Sequence, residues 1–93
     1  MFRLLITTVL MNHPRSFSTP LLRQLASTGK AGKLIAREDA EGFVLVMKEG
    51  TSEQVLAAQR GGRRYFKRLD ALASYLAGLG LRRFVVELEN RNR

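Results

Sequence analysis

The sequence predicts an α+β domain: a small antiparallel sheet of three to five strands with one helix packed on a face, in the order β-β-β-(β)-α-β. Three observations predict it. Between Lys33 and Lys67, short apolar segments are separated by turn residues, the pattern of hairpins. From Leu69 to Leu79, leucines recur at three- and four-residue steps, the pattern of an amphipathic helix. From Arg82 to Glu89, alternation returns, so a strand follows the helix.

Each element has its own grounds. Thr19 to Ser27 reads as a short helix, with Thr19 as N-cap and Pro20 at the favoured first position. Ser27 to Gly32 reads as a linker, so the compact domain is expected over 32–90, with a basic arm over 1–31 and a frayed tail over 91–93. Lys33 to Arg37 is a strand, and Glu38 to Gly42 a charged turn. Phe43 to Lys48 is the clearest strand, placing Phe43, Leu45 and Met47 on one face and Val44 and Val46 on the other. Glu53 to Gln59 lies between turn signals and reads as a third strand. Gly61 and Gly62 tolerate the positive φ of a tight hairpin, and Arg64 to Lys67 would return from it. Asp70 complements the positive end of the next helix, and Gly80 suits the position just past it. In the last strand Phe84, Val86 and Leu88 point inward. One helix covers one sheet face, which leaves Val44, Val46 and Val85 for the N-terminal arm or a second subunit to cover, a physical reason to expect a homodimer.

The 93 residues make one domain with a modest core. Hydrophobic content of 45% is that of a folded chain. Cysteine is absent, which excludes disulfides, thiolate chemistry and zinc sites built on Cys. The net charge is +8 and the pI about 11.1. Such a surplus favours phosphate backbones, anionic surfaces or an acidic protein partner. Six basic residues precede the first acid, Glu38. The apolar run Leu4–Met11 is too short to span a bilayer, so no membrane partner is expected. Arg15-Ser16-Phe17-Ser18 has the look of a mitochondrial processing site, giving an alternative in which the arm is a transit peptide.

The chain reads as a non-enzyme. His13, the single histidine, sits beside Pro14 in the arm, a poor place for a positioned base. Glu38, Asp39 and Glu41 lack calcium-loop spacing and read as a hairpin tip, so no metal is expected. Ser27 to Lys33 lacks the full P-loop order, and no cofactor is expected. The candidate binding residues are basic. Arg60, Arg63, Arg64, Lys67 and Arg68 flank the hairpin tip, and Arg82 and Arg83 open the last strand. If both segments lie on one edge, their cations line one surface for phosphates or an acidic partner, and Tyr65 stacks on a base. No helix-turn-helix, zinc-finger or RNA-recognition signature supports base-specific readout.

Four segments carry a resemblance. They are Lys33-Leu-Ile-Ala-Arg37, Arg63-Arg64-x-Phe66-Lys67-x-Leu69-Asp70-Ala71-Leu72, Tyr75-Leu76-x-x-Leu79-Gly80 and Arg83-Phe84-x-Val86. Over about residues 31–89 the chain resembles a family of small plasmid partition-associated proteins of the ParC type. The resemblance implies a bacterial, cytoplasmic accessory of plasmid partition and maintenance, acting by protein–protein contacts beside a partition ATPase and a centromere-binding protein. Direct, salt-dependent binding of DNA with little sequence preference is the alternative reading.

Overall fold

The computed structural model describes residues 15–89. Five strands form one sheet: β1 (Arg15–Phe17), β2 (Lys33–Asp39), β3 (Gly42–Glu49), β4 (Ser52–Leu56) and β5 (Val85–Glu87). Two helices accompany it, α1 (Thr19–Thr28) and α2 (Leu69–Gly78). The strand order is β1-β4-β3-β2-β5. The three central strands form the expected antiparallel meander, in the registers Ile35↔Val46 and Val46↔Val55. Both edge strands pair in parallel, β1 with β4 and β5 with β2. The fold is α+β as predicted, but the sheet is mixed. A strand separated from its neighbour by a helix or a longer excursion is free to return in the same direction.

The domain starts earlier than Gly32. Phe17 on β1 and Leu22 on α1 are buried in the same core as Leu45, Leu56, Leu72 and Leu76. The segment expected to be an arm therefore supplies an edge strand and a second helix from residue 15 onward. Residues 1–14, with the transit-peptide reading and His13, lie outside the described residues. The N-cap of α1 is Ser18 rather than Thr19, and the Leu21 amide donates to Ser18 Oγ at 3.3 Å. Thr19 is instead engaged across the fold, with its Oγ1 2.7 Å from the Tyr75 hydroxyl on α2. That hydrogen bond ties the two helices together.

The sheet faces sort by strand periodicity. Leu34, Ala36, Leu45 and Met47 face both helices, with Phe43 packed at the margin. Ile35, Val44 and Val46 form a small second cluster on the opposite face, with Val55 and Tyr65 against it. Neither described helix covers that face, yet the three residues are at most 2% exposed. Part of the cover is a charged side chain. Arg37 is in phase with Ile35 and opposite Val44, while its guanidinium bonds Glu87 on β5 and Glu53 on β4. Because β3 lies between β2 and β4, the side chain must cross over β3 to reach Glu53. Its methylene stem thus lies over the valines while its head stays at the surface. Val85, expected on the same face, is 44% exposed.

The last strand is shorter than the alternation suggests. It spans three residues, and Leu88 is 69% exposed instead of inward. Among the described residues, no helix is long and apolar enough to cross a membrane.

Candidate binding surface

The basic segment is built by two glycines and one close approach. Gly61 and Gly62 have φ of 96° and 74°, and the Ala58 amide donates to the Gly62 carbonyl at 2.9 Å, closing the tip. The chain then returns beside β4, with the Arg64 amide donating to the Leu56 carbonyl at 3.0 Å. Phe66 next bridges Phe43, exchanging two backbone hydrogen bonds of 2.8 Å. The return is a pair of isolated bridges, not the regular strand expected, because Phe66 leaves β4 to reach β3. Gly42 makes this possible. A Cβ there would lie 2.7 Å from the Phe66 carbonyl oxygen, and the φ of 136° is open to glycine.

This geometry gives the basic residues different roles. The Arg64 guanidinium lies over an aromatic pair, 4.7 Å from the Phe66 ring centre and 4.8 Å from that of Tyr75. The rings themselves are 5.3 Å apart and tilted. Such a cation–π stack commits the guanidinium to the fold. Arg63 approaches Asp39 at 3.9 Å. Tyr65 packs on the second apolar cluster and donates its hydroxyl to Asp39 at 3.0 Å, which raises its pKa above the usual phenol value. Tyr65 thus has a structural role through both its ring and its hydroxyl. Arg68 forms a two-pronged pair with Asp70, both bonds at 3.1 Å, which raises the arginine's pKa and lowers the aspartate's. Asp70 therefore serves a neighbouring side chain as well as the helix end. Arg60 and Lys67 are exposed and have no ion pair among the described residues.

Arg82 and Arg83 do not join them. In the register Ile35↔Val85, the two arginines stand level with the start of β2, beside Lys33. Phe66 and its neighbours stand at the other end, where β3 begins opposite Glu38. The single edge lined by seven cations is replaced by two separate groups, about 20 Å apart along the strands. The split follows from topology: β5 runs parallel to β2, so its first residues fall at the end of the sheet away from the hairpin tip. At that end Arg82 and Arg83 line an open groove with Gly32, Lys33, Leu34, Phe84 and Val85. Lys48 is the cross-strand partner of Lys33, so a fourth cation borders this group. Lys33, Arg82 and Arg83 have no anionic partner among the described residues.

Residue order hides two features. Lys33 belongs to the second basic group only through strand pairing. Arg37 reads as a strand end, although a charged residue in phase with Ile35 is a signal that something on that face reaches outward. The Glu53 and Glu87 carboxylates hold Arg37's pKa above its usual value, and Glu53's is in turn lowered by the Arg37 hydrogen bond.

Comparison with known proteins adds one finding. No curated protein sequence and no solved structure matches the chain. The sequence profile of the ParC-like family matches residues 17–91. It begins at Phe17, the first core residue among those described, and takes in both described helices and strands β2 to β5. The chain therefore belongs to the ParC-like family.

Proposed function

We propose that this protein is a non-enzymatic accessory of plasmid partition and maintenance that works by docking a partner protein through its basic surface. The partner is the partition ATPase or the centromere-binding protein, and the setting is the bacterial cytoplasm. The observation that carries the reading, beside family membership, is the pair of exposed cation groups without anionic partners: Arg60 and Lys67 at one end, Lys33, Arg82 and Arg83 at the other. A surface of +8 net charge with unsatisfied arginines is suited to acidic protein patches. A mitochondrial origin fits less well, since cleavage within Arg15–Ser18 would cut into β1 and its buried Phe17.

The test is fluorescence anisotropy of each labelled partition protein against the full chain, with Arg60→Glu/Lys67→Glu and Lys33→Glu/Arg82→Glu variants that keep the wild-type melting temperature. Loss of binding by at least tenfold in one variant assigns the docking end. Unchanged binding in both variants, or no binding to either protein, refutes the reading.

Direct contact with DNA is the second reading, and the same unpaired cations favour it. Its scale is bounded by the split into two groups. If Lys33, Arg82 and Arg83 each neutralise a phosphate, the logarithm of affinity falls against the logarithm of salt with a slope of about −2.7. A slope this shallow marks a weak, sequence-tolerant contact.

A further inference from the structure

We infer that β5 is the site of self-association: two copies of this chain pair their β5 edges antiparallel about a two-fold axis, joining two sheets into one. The inference goes beyond the partner-docking reading and, apart from drawing Arg83 into the dimer and leaving Lys33 and Arg82 for docking, stands independently of it.

The first ground is the open edge. β5 ends the sheet, and no described residue pairs with its outer side. Edges that stay single are blunted by shortness, charge, lysine, proline or a bulge. β5 is short, but residues 85–88, Val-Val-Glu-Leu, carry no lysine or proline, and their one charge, Glu87, is turned to Arg37. Four large apolar residues are exposed among the described residues, and three of them, Val85, Val86 and Leu88, lie on this edge.

The second ground is that Arg83-Phe-Val-Val-Glu-Leu-Glu89 is complementary to itself when reversed. A two-fold axis perpendicular to the sheet keeps paired side chains on the same face, so each residue must meet one of the same parity. With the axis at Val86, Val86 faces its own copy, Phe84 faces Leu88, Arg83 faces Glu89, and Val85 falls beside Glu87, whose carboxylate is turned to Arg37. Phe84 and Val86 are on the helix face, since Val86 stands opposite Ala36. The exposed Leu88 thus gains an aromatic partner on the apolar side. Arg83 and Glu89 fall on the other face, and neither carboxylate nor guanidinium has a partner among the described residues. Neighbouring registers do worse. Shifting the axis to Val85 keeps Val85 on its own copy and Phe84 on Val86, but sets Leu88, the most exposed apolar residue of the edge, against Arg82 and brings Arg83 to a carboxylate, Glu87, that already serves Arg37. Shifting it to Glu87 puts that carboxylate against its own copy, and like charges directly opposed are unfavourable.

A contact of about seven residues on each side is smaller than a standard interface, so the dimer should be weak. The experiment is sedimentation velocity on the full chain from about 1 to 300 µM, a range that covers micromolar dissociation constants. The expected result is a concentration-dependent rise from monomer to dimer. Arg83→Glu and Glu89→Arg should each weaken dimerisation at least tenfold, because each places like charges opposite one another twice. The combined Arg83→Glu/Glu89→Arg chain should restore it, since the pair is merely exchanged. Melting curves establish that every variant is folded.

A monomer throughout the range overturns the inference. So does a dimer that both single variants leave unchanged, or a combined variant that fails to recover. Loss of partition-protein binding in Lys33→Glu/Arg82→Glu with the dimer intact belongs to the docking reading alone. A monomeric chain that still binds those proteins counts against this inference alone.

Discussion

Arg37 gives the sharpest test of how the second face is held. Replacing it with Met keeps most of the stem and removes the charge, whereas Ala removes both. Arg37 and its two carboxylate partners are between 34% and 47% exposed, so each pair is screened by solvent. At about 0.5 kcal/mol for each exposed pair, the loss in Arg37→Met is about 1 kcal/mol. Ala also strips the stem from Val44 and Val46. If on the order of 60 Å² of apolar surface is uncovered, that adds about 1.5 kcal/mol, for about 2.5 in all. In a domain of this size about 1 kcal/mol moves the melting temperature by roughly 4–8 °C. Arg37→Met should melt about 4–8 °C below the parent and Arg37→Ala about 10–20 °C below it. The pH dependence supplies an independent reading. The carboxylate of Glu53 is held below its ordinary pKa of 4.5, first by the Arg37 hydrogen bond. A carboxylate with a lowered folded-state pKa stabilises the fold above its ordinary value, and that stability is lost as the pH falls through the folded value. The gap between the parent and Arg37→Met should therefore be full above pH 4.5 and close on acidification below it. Thermal melts followed by circular dichroism between pH 3 and 7 measure both effects. Equal stability of the Met and Ala variants would refute the role of the stem. A Met variant matching the parent at every pH would refute the contribution of the ion pairs.

Four further outcomes follow from the same packing. Gly42→Ala should cost on the order of 2–4 kcal/mol, measured by urea denaturation, because its Cβ meets the Phe66 carbonyl in a backbone conformation that disfavours side chains. Leu22→Ala and Leu72→Ala should each cost about 2–5 kcal/mol, since both side chains are fully buried in one core. For the same reason a chain beginning at Gly32 should lack a cooperative melt, whereas a chain beginning at Asn12 would test the segment before β1 separately. Arg64→Ala should destabilise the fold, because it removes the cation from the Phe66–Tyr75 stack, while Arg60→Ala should leave the melting temperature unchanged.

The amino-acid sequence by itself determined the elements whose grounds are local. Alternation over Phe43 to Lys48 set β3 and its two faces, because a strand reverses its side chains at every residue. The leucine spacing of α2 and the glycine pair at 61–62 were legible for the same reason, as was the resemblance that family membership bears out. Tertiary structure alone decided what depends on distant partners. Phe17 and Leu22 belong to the domain because other strands and a helix bury them, and no local pattern says where a linker's neighbour docks. Phe84 packs inward as its spacing predicts, yet Leu88, with the same spacing, emerges at an edge because nothing described stands beyond β5. The basic residues show the division most clearly. Their number is written in the chain, but the parallel return of β5 separates Arg82 and Arg83 from the hairpin tip. Strand direction is a property of the assembled sheet, settled by which edge the returning chain can reach after α2, and no residue spacing encodes it.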